Sequence, residues 1–136
     1  MIVCDTGPLV AALDADDHHH RECLELLEAV VGPLVVPVTV AVEVCQLIER
    51  ARGAGPEAGF LRALATGELR LEAVGTADLA RAADLVATYA DLGLGMVDAT
   101  VVAVAERLGV TELATLDRRD FTVVRPAHVD AFTLLP

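Results

Sequence analysis

Three carboxylates set in apolar surroundings constrain this chain more than any other feature. Asp98 is the only charge between Asp91 and Glu106, inside Leu94-Gly-Met-Val-Asp-Ala-Thr-Val-Val-Ala-Val-Ala105. Asp5 interrupts the apolar run Met1 to Leu13, and Glu43 interrupts Leu34 to Ile48. An ionised carboxylate removed from water costs several kcal/mol unless something pairs with it. A chain that keeps three such groups needs a fold that delivers them to a shared partner.

The apolar patterning gives that fold. Met1–Cys4 reads as a short buried strand, and Asp5-Thr-Gly-Pro8 as a strand-to-helix turn with Pro8 suited to a first helical turn. A helix runs from there to about Asp14. The polar loop Asp14-Ala-Asp-Asp17 can cap a second helix, His18–Val31, in which Cys23, Leu26, Leu27 and Val30 recur at helical spacing. Gly32-Pro33 stops it. Leu34–Val36 is a strand apolar on both faces, as in parallel sheets. Thr39 is placed to cap a helix to about Arg52, which Gly53-Ala-Gly-Pro56 ends. Glu57–Thr66 is a helix, Leu69–Val74 a strand, and Thr76 opens an amphipathic helix to about Asp91. Leu92–Gly95 is a loop. The Asp98 helix, buried nearly all round, runs to Leu108 and closes at Gly109. Glu112–Leu116 and Phe132–Leu135 are the last strands. The order predicts one α/β domain over residues 1–136: a three-layer sandwich with a short, mostly parallel central sheet flanked by helices.

Charge and composition exclude several functions. No apolar run reaches the roughly 18 residues of a membrane span. No basic region begins a signal peptide, so the expectation is a cytoplasmic protein without a membrane partner. Cys4, Cys23 and Cys45 are an odd count without CxxC spacing and read as core residues. The net charge is −11, and all ten basic residues are Arg. A chain without Lys has no P-loop, Schiff base or Asp-plus-Lys site. Its acidity opposes broad non-specific nucleic-acid binding, although a bound divalent cation inverts the field locally. It also suits a partner bearing basic side chains. His18-His-His20 sits at a helix start, where consecutive side chains diverge, and reads as solvated; His128 has no partner signal. Arg50, Arg52 and Arg62 either touch nucleic acid or solvate helix faces.

Sites in parallel α/β sheets form beyond the carboxyl ends of the strands. Asp5 follows the first strand, and Asp117 the fourth, in Ala114-Thr-Leu-Asp-Arg-Arg-Asp-Phe121. Asp98 lies in a first helical turn, where the dipole favours an anion by roughly 0.3–1 kcal/mol, too little to offset desolvation. Glu43 lies one turn into the helix after the second strand. All four are able to reach one crevice. Clustered carboxylates repel, and a hard divalent cation relieves the repulsion; Mg²⁺ and Mn²⁺ prefer oxygen ligands. Two such ions roughly 3.5–4 Å apart activate a water and stabilise the leaving oxygen of a phosphodiester, and one ion does part of this. Thr6 or Thr115 is placed to orient the water or a ligand carboxylate. Arg118 and Arg119 are placed to grip a phosphate. Ordinary roles compete: a turn or cap for Asp5, a helix start for Asp98, a pairing with Arg50 or a solvated stripe for Glu43, loop acids for Asp117 and Asp120. Together those roles leave three carboxylates in apolar runs without a purpose.

Asp5-Thr-Gly after the first strand, Glu43 in an apolar helix, Val97-Asp98-Ala-Thr with its Ala-rich continuation, and Thr115-Leu-Asp117-Arg-Arg-Asp-Phe121 resemble the PIN domain, and within it the VapC toxins of bacterial toxin–antitoxin pairs. The resemblance spans nearly the whole chain. It implies a PIN-like sandwich and a Mg²⁺- or Mn²⁺-dependent endoribonuclease that cuts RNA, often tRNA or rRNA. It implies a homodimer, held inactive by a VapB-like antitoxin that inserts a basic or bulky side chain into the acidic site. The family quartet maps onto Asp5, Glu43, Asp98 and Asp117, with Asp120 competing for the fourth place. Two other readings stand beside it: a non-catalytic acidic domain that grips a basic protein, and a DNA-directed metal nuclease.

Overall fold

The computed structural model describes all 136 residues. Five strands form one sheet: β1 Ile2–Cys4, β2 Leu34–Pro37, β3 Arg70–Glu72, β4 Glu112–Ala114 and β5 Thr133–Leu135. Their order is β3-β2-β1-β4-β5, and every pairing is parallel. Val3 sits opposite both Val35 and Leu113, so the two central pairings are in phase. The central strands are apolar and buried, whereas Arg70 and Leu71 on the edge are exposed.

Seven helices connect the strands: α1 Thr6–Leu13, α2 His20–Ala29, α3 Val38–Arg52, α4 Ala54–Thr66, α5 Thr76–Thr88, α6 Met96–Leu108 and α7 Arg118–Val123. The sheet grows from β1 through β2 to β3, and the chain then crosses back to β4 and β5. Right-handed crossovers in both directions put α1–α4 over one face and α5–α7 over the other. The reversal leaves a crevice where the connections that leave the adjacent ends of β1 and β4 turn to opposite faces of the sheet. Ala99 to Ala105 of α6 are all buried, since small Ala and Val side chains let the helix lie against α5 and the sheet together. Met96 is exposed and Val97 half-buried, so burial on every side begins only after Asp98.

An ion-pair network joins α5 and α6. Arg107 donates to Asp78 at 2.9 and 3.2 Å and to Glu72 at 2.9 Å. Arg81 grips Glu106 with two bonds. Asp78, buried, also accepts the Gly75 N–H, and its bonds to Arg107 hold its carboxyl below the usual range. No helix is long and apolar enough to cross a membrane.

The element boundaries depart from expectation in local ways. Thr39 does not cap α3; the helix starts at Val38 directly from Pro37, and the Thr39 hydroxyl reaches another helix. Gly53 alone, at φ +84°, separates α3 from α4, so Ala54–Pro56 are helical rather than a terminator. Pro56 is tolerated because it falls in a first turn, whose N–H groups have no helical partner. The second helix begins at His20, because Asp17 takes the His19 N–H on its side chain and the His20 N–H on its carbonyl. The helix from Thr76 ends at Thr88 and is followed by a 3-10 turn, Ala90–Leu92. Arg118–Val123, to which the sequence assigned no element, is helical.

Candidate metal centre

The crevice at the reversal is built by short hydrogen bonds. The Asp5 N–H donates to the Ala114 carbonyl at 2.8 Å, which ties the residue after β1 to the end of β4. The Asp5 side chain is 6% exposed and accepts the Thr115 hydroxyl at 2.8 Å. The same Thr115 oxygen accepts the Asp117 N–H at 3.0 Å, so one side chain orients two acidic segments. Asp117 caps α7 by accepting the Asp120 N–H at 2.9 Å. Gly7 passes close over this loop; a Cβ there would lie 3.3 Å from Leu116.

Carboxylate oxygens of Asp98, Asp117 and Asp120 all lie within 4.8 Å of one another. Asp98 accepts no hydrogen bond that would favour its charge, and its pKa is pushed up to about 7. Burial is the main cause, followed by the charges of Asp5, Asp117, Asp120 and Glu43. Burial likewise raises Asp5, against the hydrogen bonds from Thr6 and Thr115 and with help from Glu43 and Asp117. Asp120 is raised by burial and by Asp117, and Arg119 offsets part of this. Asp5 and Glu43 stand outside the tight trio, yet their charges reach it.

The donor set fits a hard divalent cation. It is all carboxylate oxygen, with no His or Cys to favour zinc. The one guanidinium paired with the trio, Arg119, is 3.8 Å from Asp120 and 77% exposed, too solvated to neutralise the cluster. Capping does not explain Asp5, because α1 receives no side-chain cap from it. The alternative pairing of Glu43 with Arg50 is not formed: no ion pair joins them.

The structure thus brings Asp5, Glu43, Asp98, Asp117 and Asp120 to one crevice, with Asp117 and Asp120 both beside Asp98. Thr115 is buried and committed to Asp5 and Asp117, which suits it to orienting carboxylates. The Thr6 hydroxyl is buried without a partner. Arg118 donates to the Pro136 carbonyl, and Arg119 lies in solvent. The histidines do not converge: His19 bonds Glu22, and His20 bonds the Ala11 carbonyl. One pair escaped sequence reasoning. Thr100 donates to the Val97 carbonyl at 2.7 Å, so its oxygen accepts from Thr39 at 2.6 Å. This bond joins the helix bearing Glu43 to the helix bearing Asp98. The position of Thr100, two residues after Asp98, was the only signal.

Comparison with known proteins agrees with this fold. The PIN domain profile matches residues 2–125. Ribonuclease VapC26 of Mycobacterium tuberculosis is 34% identical over 135 residues, covering 99% of this chain and all of that protein. The fold superposes on the crystal structure of M. tuberculosis VapC20, described as a sarcin-ricin loop cleaving toxin, with a TM-score of 0.86 and 22% identity over 96% of this chain and 99% of that one. VapBC2 from Rickettsia felis, crystallised on a fragment of promoter DNA, gives a TM-score of 0.69 at 15% identity, with both chains fully covered. These two structures bear on the fold alone. Profile and sequence identity together establish that the chain belongs to the PIN domain family and is a homologue of the VapC-type ribonucleases.

Proposed function

We propose that this chain is the toxin of a type II toxin–antitoxin pair, an endoribonuclease that hydrolyses RNA phosphodiester bonds with Mg²⁺ or Mn²⁺. The observation that carries the reading is the trio Asp98, Asp117 and Asp120, whose crowding and burial leave Asp98 half-protonated near neutral pH without a cation. Asp98, Asp117 and Asp120 would hold the ion, with Asp5 and Glu43 completing the acidic wall. The bound ion supplies an activated water and charge neutralisation at the leaving oxygen. Thr115 keeps Asp5 and the Asp117 segment in register, so that the ligand oxygens are set before substrate arrives. The buried setting of Asp5 excludes bulk water from one side of the site.

The partner in this reading is a VapB-like antitoxin. A net charge of −11 and an acidic crevice favour a basic side chain on the antitoxin, which neutralises the carboxylates in place of the ion. The toxin itself is a homodimer, a state that sedimentation velocity measures directly. The decisive experiment replaces Asp5 or Asp98 with Asn and follows digestion of tRNA and rRNA beside a DNA control. Both variants are expected to fold, to lose cleavage and to lose Mn²⁺ uptake in calorimetry. Full cleavage by both variants, or digestion of DNA in preference to RNA, would overturn the proposal.

A further inference from the structure

We propose that the groove between α3 and the start of α6 is a nucleotide subsite, which grips the RNA strand beside the scissile phosphate; the inference rests on the nuclease reading above. The groove is a cavity of about 460 Å³, and Glu43 and Val97, the residue before Asp98, are among those that line it. That volume lies within the roughly 300–1,000 Å³ of small-ligand sites. Glu43, Gln46 and Arg50 fall on one face of α3, with Arg50 roughly 10 Å along the axis from Glu43 by helical rise. Val42 and Met96 wall the groove and are 54% and 55% exposed.

Arg50 is the informative residue. Of the ten arginines, eight make an ion pair or a hydrogen bond within the chain. Arg50 and Arg62 make neither, and only Arg50 lines this groove. The chain has 21 acidic residues, so a free guanidinium beside the acidic crevice is not free for want of carboxylates. A backbone phosphate satisfies its forked donors. The flat face of a base covers the apolar walls, and the Met96 thioether adapts to it. The Gln46 amide offers both donor and acceptor to a base edge. A second copy of the chain or a peptide segment would cover the apolar walls, whereas a nucleotide also supplies the anion.

The test measures fluorescence anisotropy of a short, labelled, single-stranded RNA of mixed sequence in calcium chloride, since Ca²⁺ accepts carboxylate oxygens. Arg50→Ala is expected to weaken binding roughly tenfold, as loss of a charged phosphate contact does, and to lower the salt dependence by about one ion. Arg62→Ala, the other unpaired arginine, is expected to bind as the native chain does. Equal binding by Arg50→Ala and the native chain, or equal losses in both variants, overturns the subsite. Sedimentation velocity of Leu47→Glu gives a further outcome. If that change splits a dimer into monomers, the groove is an interface between copies and the proposal falls. The nuclease reading fails separately, by absence of any RNA cleavage in the native chain.

Discussion

Ionising Asp98 is opposed by burial and by four acidic neighbours, so the residue works against the fold until a cation arrives. Its folded-state pKa, about 7, lies above the ordinary 3.8. A raised carboxylate pKa means that the folded state keeps a proton the unfolded state has lost. The contribution is therefore fully favourable below pH 3.8, declines as pH rises, and is gone above about pH 7. The urea-unfolding free energy of the metal-free chain is expected to fall between those two values by on the order of a few kcal/mol at most, since solvent reaching Asp98 screens part of the repulsion, with Asp98 the largest contributor. Asp98→Asn removes the ionising group and is expected to raise the melting temperature of the metal-free chain at pH 8, while abolishing Mn²⁺ uptake. An unchanged or lower melting temperature in that variant would show that repulsion at Asp98 is not what burdens the fold. Asp5 and Asp98 were legible in the sequence because a charge in an apolar run is conspicuous. The rivalry between Asp117 and Asp120 was visible there too, but not that both stand beside Asp98, because they lie in a polar segment whose geometry depends on which carboxylate caps α7.

At the level of elements, the bond between Thr39 and Thr100 sets how α3 and α6 approach one another. Thr100 is fully buried, so removing its donor leaves an unsatisfied lone pair. Thr39→Val is expected to destabilise the chain by about 1 kcal/mol in urea unfolding, and Thr39→Ser to restore most of it. Equal stability of the valine variant would mean that the helices are spaced by packing alone. The clamp between Arg107 and Asp78 predicts a larger effect. Asp78→Ala loses two bonds to a guanidinium and the tie to Gly75, and is expected to cost about 2 kcal/mol in the same measurement, after allowance for the solvent around Arg107. Element types were readable from periodicity and from glycine and proline. The exceptions have physical causes. Six residues of α7 are too short to show a helical period, and the threonine read as a cap had a partner 61 residues away.

For the molecule as a whole, alternation of strands and helices announced a parallel sandwich, but no local pattern encodes the order in which strands lie. That order, with the reversal between β1 and β4, decides where the crevice opens. A cation bound only by the folded state raises the melting temperature in proportion to the logarithm of its concentration. Millimolar Mn²⁺ is expected to raise that of the native chain by several degrees, and to leave that of Asp98→Asn unmoved. No shift in the native chain would argue against a metal centre.

The place of β4 between β1 and β5 has a bearing on biosynthesis. Asp117 and Asp120 leave the ribosome after every other part of the acidic crevice, and they reach Asp98 only once β4 has slotted in beside β1. A nascent chain therefore lacks the assembled acidic crevice until β4 and the segment after it have been made and have folded against β1.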